Sequence, residues 1–272
     1  LILTSRNIIS GSNWAQSLDG DVKKQVEKGK AQFAGTEIQG KTIGILGLGA
    51  IGRKVAVAAN ALGMKVVGYD KYLSESAKAL DFVKFVDTME EVYALADFIT
   101  IHIPYSKDTH GFINAQTVAK MKDGVIIINA ARGELVNVAE VKEAIANKKV
   151  RCYYTDFPDT DALNSNGILI TPHLGASSEE AEENCAEMAA EEIRMFIEEG
   201  TIKNSVNMPY LSVAKSKAHR ASVIYNGNCE INAAATVTNK DGISYAIVES
   251  DSVIDIDAIA KTAGVIKARV IF

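Results

Sequence analysis

The run Gly47-Leu48-Gly49-Ala50-Ile51-Gly52 constrains this chain more than any other feature. It follows an apolar, strand-like segment, Thr42 to Leu46, and opens a helix-like one, Arg53 to Leu62. A second strand-like run, Lys65 to Tyr69, then ends in Asp70. That order spells a βαβ unit with a glycine-rich turn between its first strand and its helix. The first glycine permits the tight turn, the second lets the backbone approach a pyrophosphate, and the third lets helix and strand pack closely. Backbone N–H groups at the helix start then face the phosphates, on the positive end of the helix dipole. Asp70 stands where a carboxylate accepts hydrogen bonds from a ribose diol and repels a 2′-phosphate, which points to NAD rather than NADP. The competing reading, a glycine-rich turn that binds nothing, has against it the full order of strand, helix, strand and acid.

A chain of 272 residues can hold two domains. The net charge of −5 gives no basic footprint for nucleic acid. No apolar stretch is long enough to span a bilayer. Cys152, Cys185 and Cys229 lie far apart and form neither a disulfide framework nor a metal site, so a reducing cytoplasm is expected. Leu1 to Ile9 reads as the back half of a helix with no initiator Met and no cap. It lacks the pattern of a signal peptide, and the chain is expected to begin within a protein.

From Gly40 to about Thr171, apolar runs alternate with helical patterns. Asp19 to Lys30, charged and glycine-containing, reads as a connector. A short helix is expected around Ser74 to Leu80 and a short strand at Phe82 to Val86. Thr88 begins a helix with acids in its first turn. Asp97 to Pro104 and Gly124 to Asn129 are strands apolar on both faces, as in the middle of a covered parallel sheet. Val150 to Asp156 and Ile168 to Thr171 close the series. The alternation predicts an α/β fold, a Rossmann doubly wound parallel sheet. Ser178 to Glu199 is a long helix whose Ala181, Cys185, Met188, Ala189, Ile193, Phe196 and Ile197 read as packing positions. Beyond a polar linker, Ala221–Tyr225, Ile231–Thr238, Ile243–Glu249, a helix over Ile256–Ala263 and Val265–Ile271 predict a small ferredoxin-like α+β module, with a hairpin at Asn239-Lys240-Asp241-Gly242.

Ligands of such sheets bind beyond the carboxyl ends of the strands. Arg132, after the strand ending at Asn129, offers a charged fork suited to a carboxylate. Its bland alternative is a surface or capping arginine. His173, after the last strand, can exchange a proton near neutral pH or serve as a satisfied structural histidine. Asp156 can face the cofactor or simply cap a loop. His102, inside an apolar strand, reads as a packed core residue, and His110 and His219 receive no role. Trp14 suits an interface or an intramolecular contact equally.

Four stretches together resemble the D-isomer-specific 2-hydroxyacid dehydrogenases. They are Gly40 to Gly52, His102-Ile103-Pro104 with Thr109, Asn129 to Val136, and Pro172 to Ser177. The tail resembles an ACT regulatory module. The resemblance implies that Arg132 binds the substrate carboxylate and that His173 takes the C2 hydroxyl proton. It implies that Gly47, Gly49, Ala50, Ile51, Gly52, Asp70, Pro104, Ala130, Asp156 and Gly175 line an NAD site, with no metal. It further implies four parts: residues 1–36 from a substrate-binding domain and hinge, 37–176 the NAD-binding Rossmann domain, 177–210 the helix returning to the substrate domain, and 217–272 the ACT-like domain.

With the ACT-like tail, the resemblance implies oxidation of 3-phosphoglycerate to 3-phosphohydroxypyruvate, at the start of serine synthesis. Another 2-hydroxy acid (glyoxylate, hydroxypyruvate or D-lactate) and a non-catalytic NAD sensor are the alternatives. An amino-acid effector and a homodimer or homotetramer are also implied, with neither nucleic acid nor membrane as partner. Three departures stand out. The family's glutamate partner of the histidine is missing from Asp156-Phe157-Pro158-Asp159-Thr160-Asp161, where Asp159 or Asp161 is the possible substitute. The N-terminal substrate-binding segment is missing, and so is the ACT module's first helix between Tyr225 and Ile231. A sequence with gaps closed up would explain the last two.

Overall fold

The computed structural model describes residues 1–227 and 229–271. The chain divides into two compact units, Leu1–Gly175 and Ala176–Phe272.

The first unit is built on seven parallel strands: β1 Thr42–Leu46, β2 Lys65–Tyr69, β3 Val83–Phe85, β4 Phe98–Ile101, β5 Val125–Asn129, β6 Val150–Thr155 and β7 Ile168–Ile170. They stand in the order β3-β2-β1-β4-β5-β6-β7. This is the doubly wound arrangement, whose direction of growth reverses between β1 and β4. Alternate side chains feed two cores. Ile43, Ile45, Val66, Phe98 and Ile126 lie on one face, and Leu46, Val67, Ile99, Ile101 and Ile127 on the other. Burial on both faces explains why these strands read as continuous apolar runs instead of alternating ones.

Helices α4 Ala50–Ala61, α5 Glu75–Lys78, α6 Met89–Leu95, α7 Ala115–Ala119 and α8 Val138–Ala146 connect the strands. Side-chain oxygens cap four of them: Ser74, Thr88, Asn114 and Asn137 each accept a backbone N–H from the first turn. α4 has no side-chain cap: its N-cap residue, Gly49, is extended and has no side chain to accept from the first-turn N–H groups.

The N-terminal segment departs from expectation twice. The apolar start is two helices, α1 Ile2–Arg6 and α2 Ile8–Gln16, broken at Asn7, whose φ is +52°. The expected connector holds a third helix, α3 Val22–Gly29, with the Asp21 carboxylate accepting from Lys24 N–H. Its Lys, Gln and Glu content was legible as polarity, but those residues are also good helix formers, and the aspartate cap decides the matter. Trp14 packs on Phe33 with ring centroids 5.1 Å apart, an intramolecular contact.

The second unit begins with α9, Glu179–Glu198, capped by Ser178. It continues into β8 His219–Asn226, β9 Ala235–Thr238, β10 Ile243–Ser250, α10 Ile256–Ala260 and β11 Val265–Ile271. The antiparallel strands stand in the order β11-β8-β10-β9, the 4-1-3-2 order of a ferredoxin-like sheet. The hairpin forms as expected: Asn239 Oδ1 accepts from the N–H groups of Asp241 and Ile243, and Gly242 has φ +79°. β9 is shorter than the expected Ile231–Thr238, and the preceding Ile231 and Ala233 pack against the cluster of Val223, Tyr225 and Ala246. Asn228, within the stretch where a first helix was missed, lies outside the described residues. The apolar positions of α9 are not a packed seam: Met188 is 54 %, Ile193 60 % and Ile197 51 % exposed, and the helix buries no residue. Its contacts with the sheet fall at its last turn, where Phe196 lies beneath the Arg269 guanidinium and near the Tyr245 ring.

Among the described residues no helix is long and apolar enough to cross a membrane.

Candidate active site

Register sets the site. Tyr69 pairs with Leu46, Leu46 with Ile101, Ile101 with Asn129, Asn129 with Thr155 and Thr155 with Ile170. One row therefore runs across six strands at their carboxyl ends. The next residues along the chain are Asp70, Gly47, His102, Ala130, Asp156 and Thr171. All the strand-end candidates named from sequence enter their loops at one level, on one edge of the sheet.

At the reversal point, Gly47 has φ +94°, and a Cβ there would lie 2.7 Å from the His102 carbonyl oxygen. Only glycine lets the loops after β1 and β4 come this close. A Cβ on Gly52 would sit 2.0 Å from the Gly47 carbonyl oxygen, so α4 reaches the turn only because that position lacks one. At Gly49 an added Cβ would meet nothing within 4 Å, so the turn's outer side is clear. Ile51 is 68 % exposed at the same helix start. Asp70 is oriented by two backbone donors: Leu48 N–H gives to Oδ2 and Tyr72 N–H to Oδ1, each at 2.7 Å. Each oxygen keeps a lone pair for a ribose hydroxyl. These residues fit NAD: Gly47 to Gly52 for the pyrophosphate and Asp70 for the ribose. Asp70→Ala is expected to weaken NAD binding about 10- to 100-fold, the worth of one or two charge-assisted hydrogen bonds. It should also narrow the preference over NADP. Calorimetric titration with both dinucleotides checks this, and equal NAD affinity in the variant would remove Asp70 from the site.

His102 is half-buried, and its Nε2 lies 2.9 Å from Thr100 Oγ1. Burial pushes the imidazole down to about 4, so the ring is neutral at physiological pH. It is a half-buried residue just past β4, beside the glycine turn, and not the core strand residue expected, because the strand ends at Ile101. Thr109 Oγ1 donates to the Pro104 carbonyl at 3.2 Å and closes that loop.

The chemistry-bearing loops follow β5, β6 and β7. Asn129, fully buried, shapes the first: its Nδ2 donates to the Arg132 carbonyl at 2.8 Å and its Oδ1 accepts from Ala131 N–H at 3.1 Å. The loop's Ala130 and Arg132 are exposed, and the guanidinium donates to the Ala131 carbonyl at 2.6 Å. Asp156, buried at the end of β6, holds the third loop. Its Oδ1 accepts from Thr171 Oγ1 and, at 3.0 Å, from His173 N–H. Tyr154 Oη lies 2.7 Å from the same Thr171 hydroxyl. The bond to His173 N–H pins a backbone with φ +56°, a left-handed conformation unusual outside glycine and concentrated at functional sites. Oδ2 of Asp156 faces Gly175, where an added Cβ would lie 3.9 Å away.

Phe157 ties the loops together. A Cβ on Gly133, next to Arg132, would come within 3.2 Å of the Phe157 Cβ. On its other side, the Phe157 ring meets the His173 ring edge to face, with centroids 4.8 Å apart and planes at 85°. Asp159 and Asp161 do not take the glutamate's place. Asp159 Oδ1 accepts from Ala162 N–H at 2.8 Å, and no hydrogen bond or ion pair among the described residues joins either carboxylate to His173. Asn129, Phe157 and Thr171 were not singled out from the sequence. A polar residue ending an apolar strand was the available signal for Asn129, and nothing local marked the other two.

A cleft of about 870 Å³ adjoins these loops. Gly133 and Phe157 line it, with Glu134, Glu140, Asp159 and Asp161 as its carboxylates.

Residues 1–175 match the family model described as "D-isomer specific 2-hydroxyacid dehydrogenase, NAD binding domain". The chain belongs to that family. The matched region is the NAD-binding domain, and NAD is the cofactor of this site. Among named relatives, D-3-phosphoglycerate dehydrogenase of Methanocaldococcus jannaschii is 36 % identical over 198 residues, 71 % of this chain and 38 % of that protein. The Bacillus subtilis protein of the same name is 37 % identical over 195 residues, 70 % of this chain and 37 % of the relative. The chain thus spans under two fifths of these relatives' length. Among solved structures, D-mandelate dehydrogenase of Rhodotorula graminis superposes with a TM-score of 0.63 at 26 % identity, over 72 % of this chain and 59 % of that one. D-lactate dehydrogenase with NAD+ from Lactobacillus jensenii gives 0.57 at 25 % identity, over 70 % and 61 %. The family model does not extend over the second unit, residues 176–272.

Proposed function

We propose that the protein is an NAD-dependent dehydrogenase of a D-2-hydroxy acid, with 3-phosphoglycerate as the substrate. The observation that carries the reading is the gathering of the Arg132 and His173 loops at the adjacent ends of β5, β6 and β7, with Phe157 packed between them. The Arg132 guanidinium binds the substrate carboxylate as a fork and draws charge from the C2 oxygen. His173 accepts the C2 hydroxyl proton as the carbon is oxidised, and returns it in the reverse direction. Asp156 keeps the His173 backbone in place. NAD, when bound, supplies the hydride acceptor.

The names of the relatives support 3-phosphoglycerate. One observation favours a second reading, a hydroxy acid without a phosphate. Solved structures similar to this chain are named for acids without a phosphate, D-mandelate and D-lactate. The protein incubated with NAD and 3-phosphoglycerate, glyoxylate-derived hydroxy acids or D-lactate, with NADH absorbance followed, separates the two. Turnover of 3-phosphoglycerate is the expected result. Turnover of D-lactate alone would replace the substrate, and NAD binding without turnover of any acid would leave a sensor.

The 4-1-3-2 sheet supports a regulatory role for the second unit, with an amino acid as effector. Slowing of the same reaction by L-serine tests that role. Assembly as a homodimer or homotetramer completes the reading.

A further inference from the structure

We infer that Phe157 is the positioning residue for the His173 imidazole, fixing by aromatic contact a ring that no carboxylate among the described residues holds. The inference rests on the dehydrogenase reading for its catalytic consequence and on geometry for the rest. His173 is exposed, and its backbone is fixed by Asp156, but that bond leaves the side chain free to rotate. The stretch that follows β6 supplies three carboxylates, and among the described residues none of them is hydrogen-bonded to the imidazole. Asp156 Oδ1 accepts from the Thr171 hydroxyl and the His173 backbone, Asp159 Oδ1 accepts from Ala162 N–H, and Asp161 accepts from Lys142 and Ser165 through its backbone carbonyl only. What touches the ring is Phe157, edge to face at 4.8 Å. Edge-to-face packing is directional, because the positive edge of one ring seeks the negative face of the other. It therefore sets an imidazole's tilt as well as its place.

Phe157 is itself braced. Its Cβ lies against Gly133, at a distance that leaves room for a hydrogen but not for a methyl group without displacement. Gly133 adjoins Arg132, whose carbonyl Asn129 holds. The ring thus sets the spacing between the guanidinium loop and the imidazole, the two groups that must meet one substrate carbon. A displacement of about 1 Å in such a pair costs about a hundredfold in rate.

The test uses Phe157→Leu, Phe157→Tyr and Gly133→Ala in the whole protein. Proton NMR resolves the C–H signals of its 4 histidines, and His173→Gln assigns the relevant pair by their disappearance. The Phe157 ring current shifts those signals. Phe157→Leu should move them towards free-imidazole positions and lower kcat about 10- to 100-fold with the KM for NAD unchanged. Phe157→Tyr should restore both. Gly133→Ala, which pushes the ring without removing it, should move the same signals. His173 signals that stay put in Phe157→Leu and Gly133→Ala would overturn the inference, as would full turnover in Phe157→Leu. The spectra need no substrate, so they judge the packing separately. Turnover in His173→Gln equal to that of the unaltered protein would instead overturn the dehydrogenase role, and the catalytic half of this inference with it.

Discussion

His173→Ala lowers turnover about 10²- to 10⁴-fold while NAD affinity barely changes. The first half follows from the size of general acid–base catalysis. Without the imidazole, the C2 hydroxyl proton must leave to water as the carbon is oxidised. The second half follows from where the groups stand. The proposed pyrophosphate and ribose determinants, Gly47 to Gly52 and Asp70, follow β1 and β2, whereas His173 follows β7 at the other end of the row. The alanine keeps the backbone N–H that Asp156 accepts, so the loop survives the change. Steady-state turnover and calorimetric NAD titration check the two halves separately. Near-normal turnover removes His173 from the chemistry, and a parallel loss of NAD affinity means the loop has collapsed.

Arg220→Met destabilises the second unit by about 3–5 kcal/mol, the cost of leaving a buried charge without its partner. Arg220 and Glu249 are each 3 % exposed at their side chains, and the closest approach between them is 2.6 Å. Arg220 Nε also donates to Glu249 Oε1 at 3.0 Å, and its remaining donors reach the carbonyls of Glu199 and Val213. Ser216 donates to both carboxylate oxygens. Burial alone would raise Glu249, but the hydrogen bonds from Ser216 and Arg220 outweigh it and hold the carboxyl at about 2. The folded value lies below the ordinary carboxylate value. The group's contribution is therefore complete above pH of about 4.5 and is lost as pH falls through about 2. The variant should lose that acid-side slope together with its stability. Replacing both residues, Arg220→Met with Glu249→Leu, should recover most of the loss, because an apolar pair carries no desolvation penalty. Thermal unfolding at pH 7 and across pH 2–5 reads both effects. A single variant as stable as the parent would show that the network contributes nothing.

The sequence by itself determined the doubly wound sheet, its glycine turn, the acid at the end of β2 and helices α4, α5, α6, α9 and α10. These signals are local. Period, β-branching, caps and glycine spacing act over a few residues, and they need no distant partner to be read. It also placed every site candidate at a strand end, because a parallel sheet brings its carboxyl ends to one edge whatever covers it. Tertiary structure decided the rest. Nothing near Phe157 reveals that its ring lies between Gly133 and His173, which are 24 and 16 positions away in the numbering. Nothing local in the sequence marks Arg220 and Glu249 as a pair; β8 and β10 bring them together and bury them. The apolar stripe of α9 has helical period, but period says which residues share a face and not whether anything covers it. Asp19 to Lys30 read as a connector, since polarity is shared by loops and exposed helices, and only the Asp21 cap in place distinguished them. Contacts between residues far apart in sequence depend on which surfaces meet, and that is information a linear pattern does not contain.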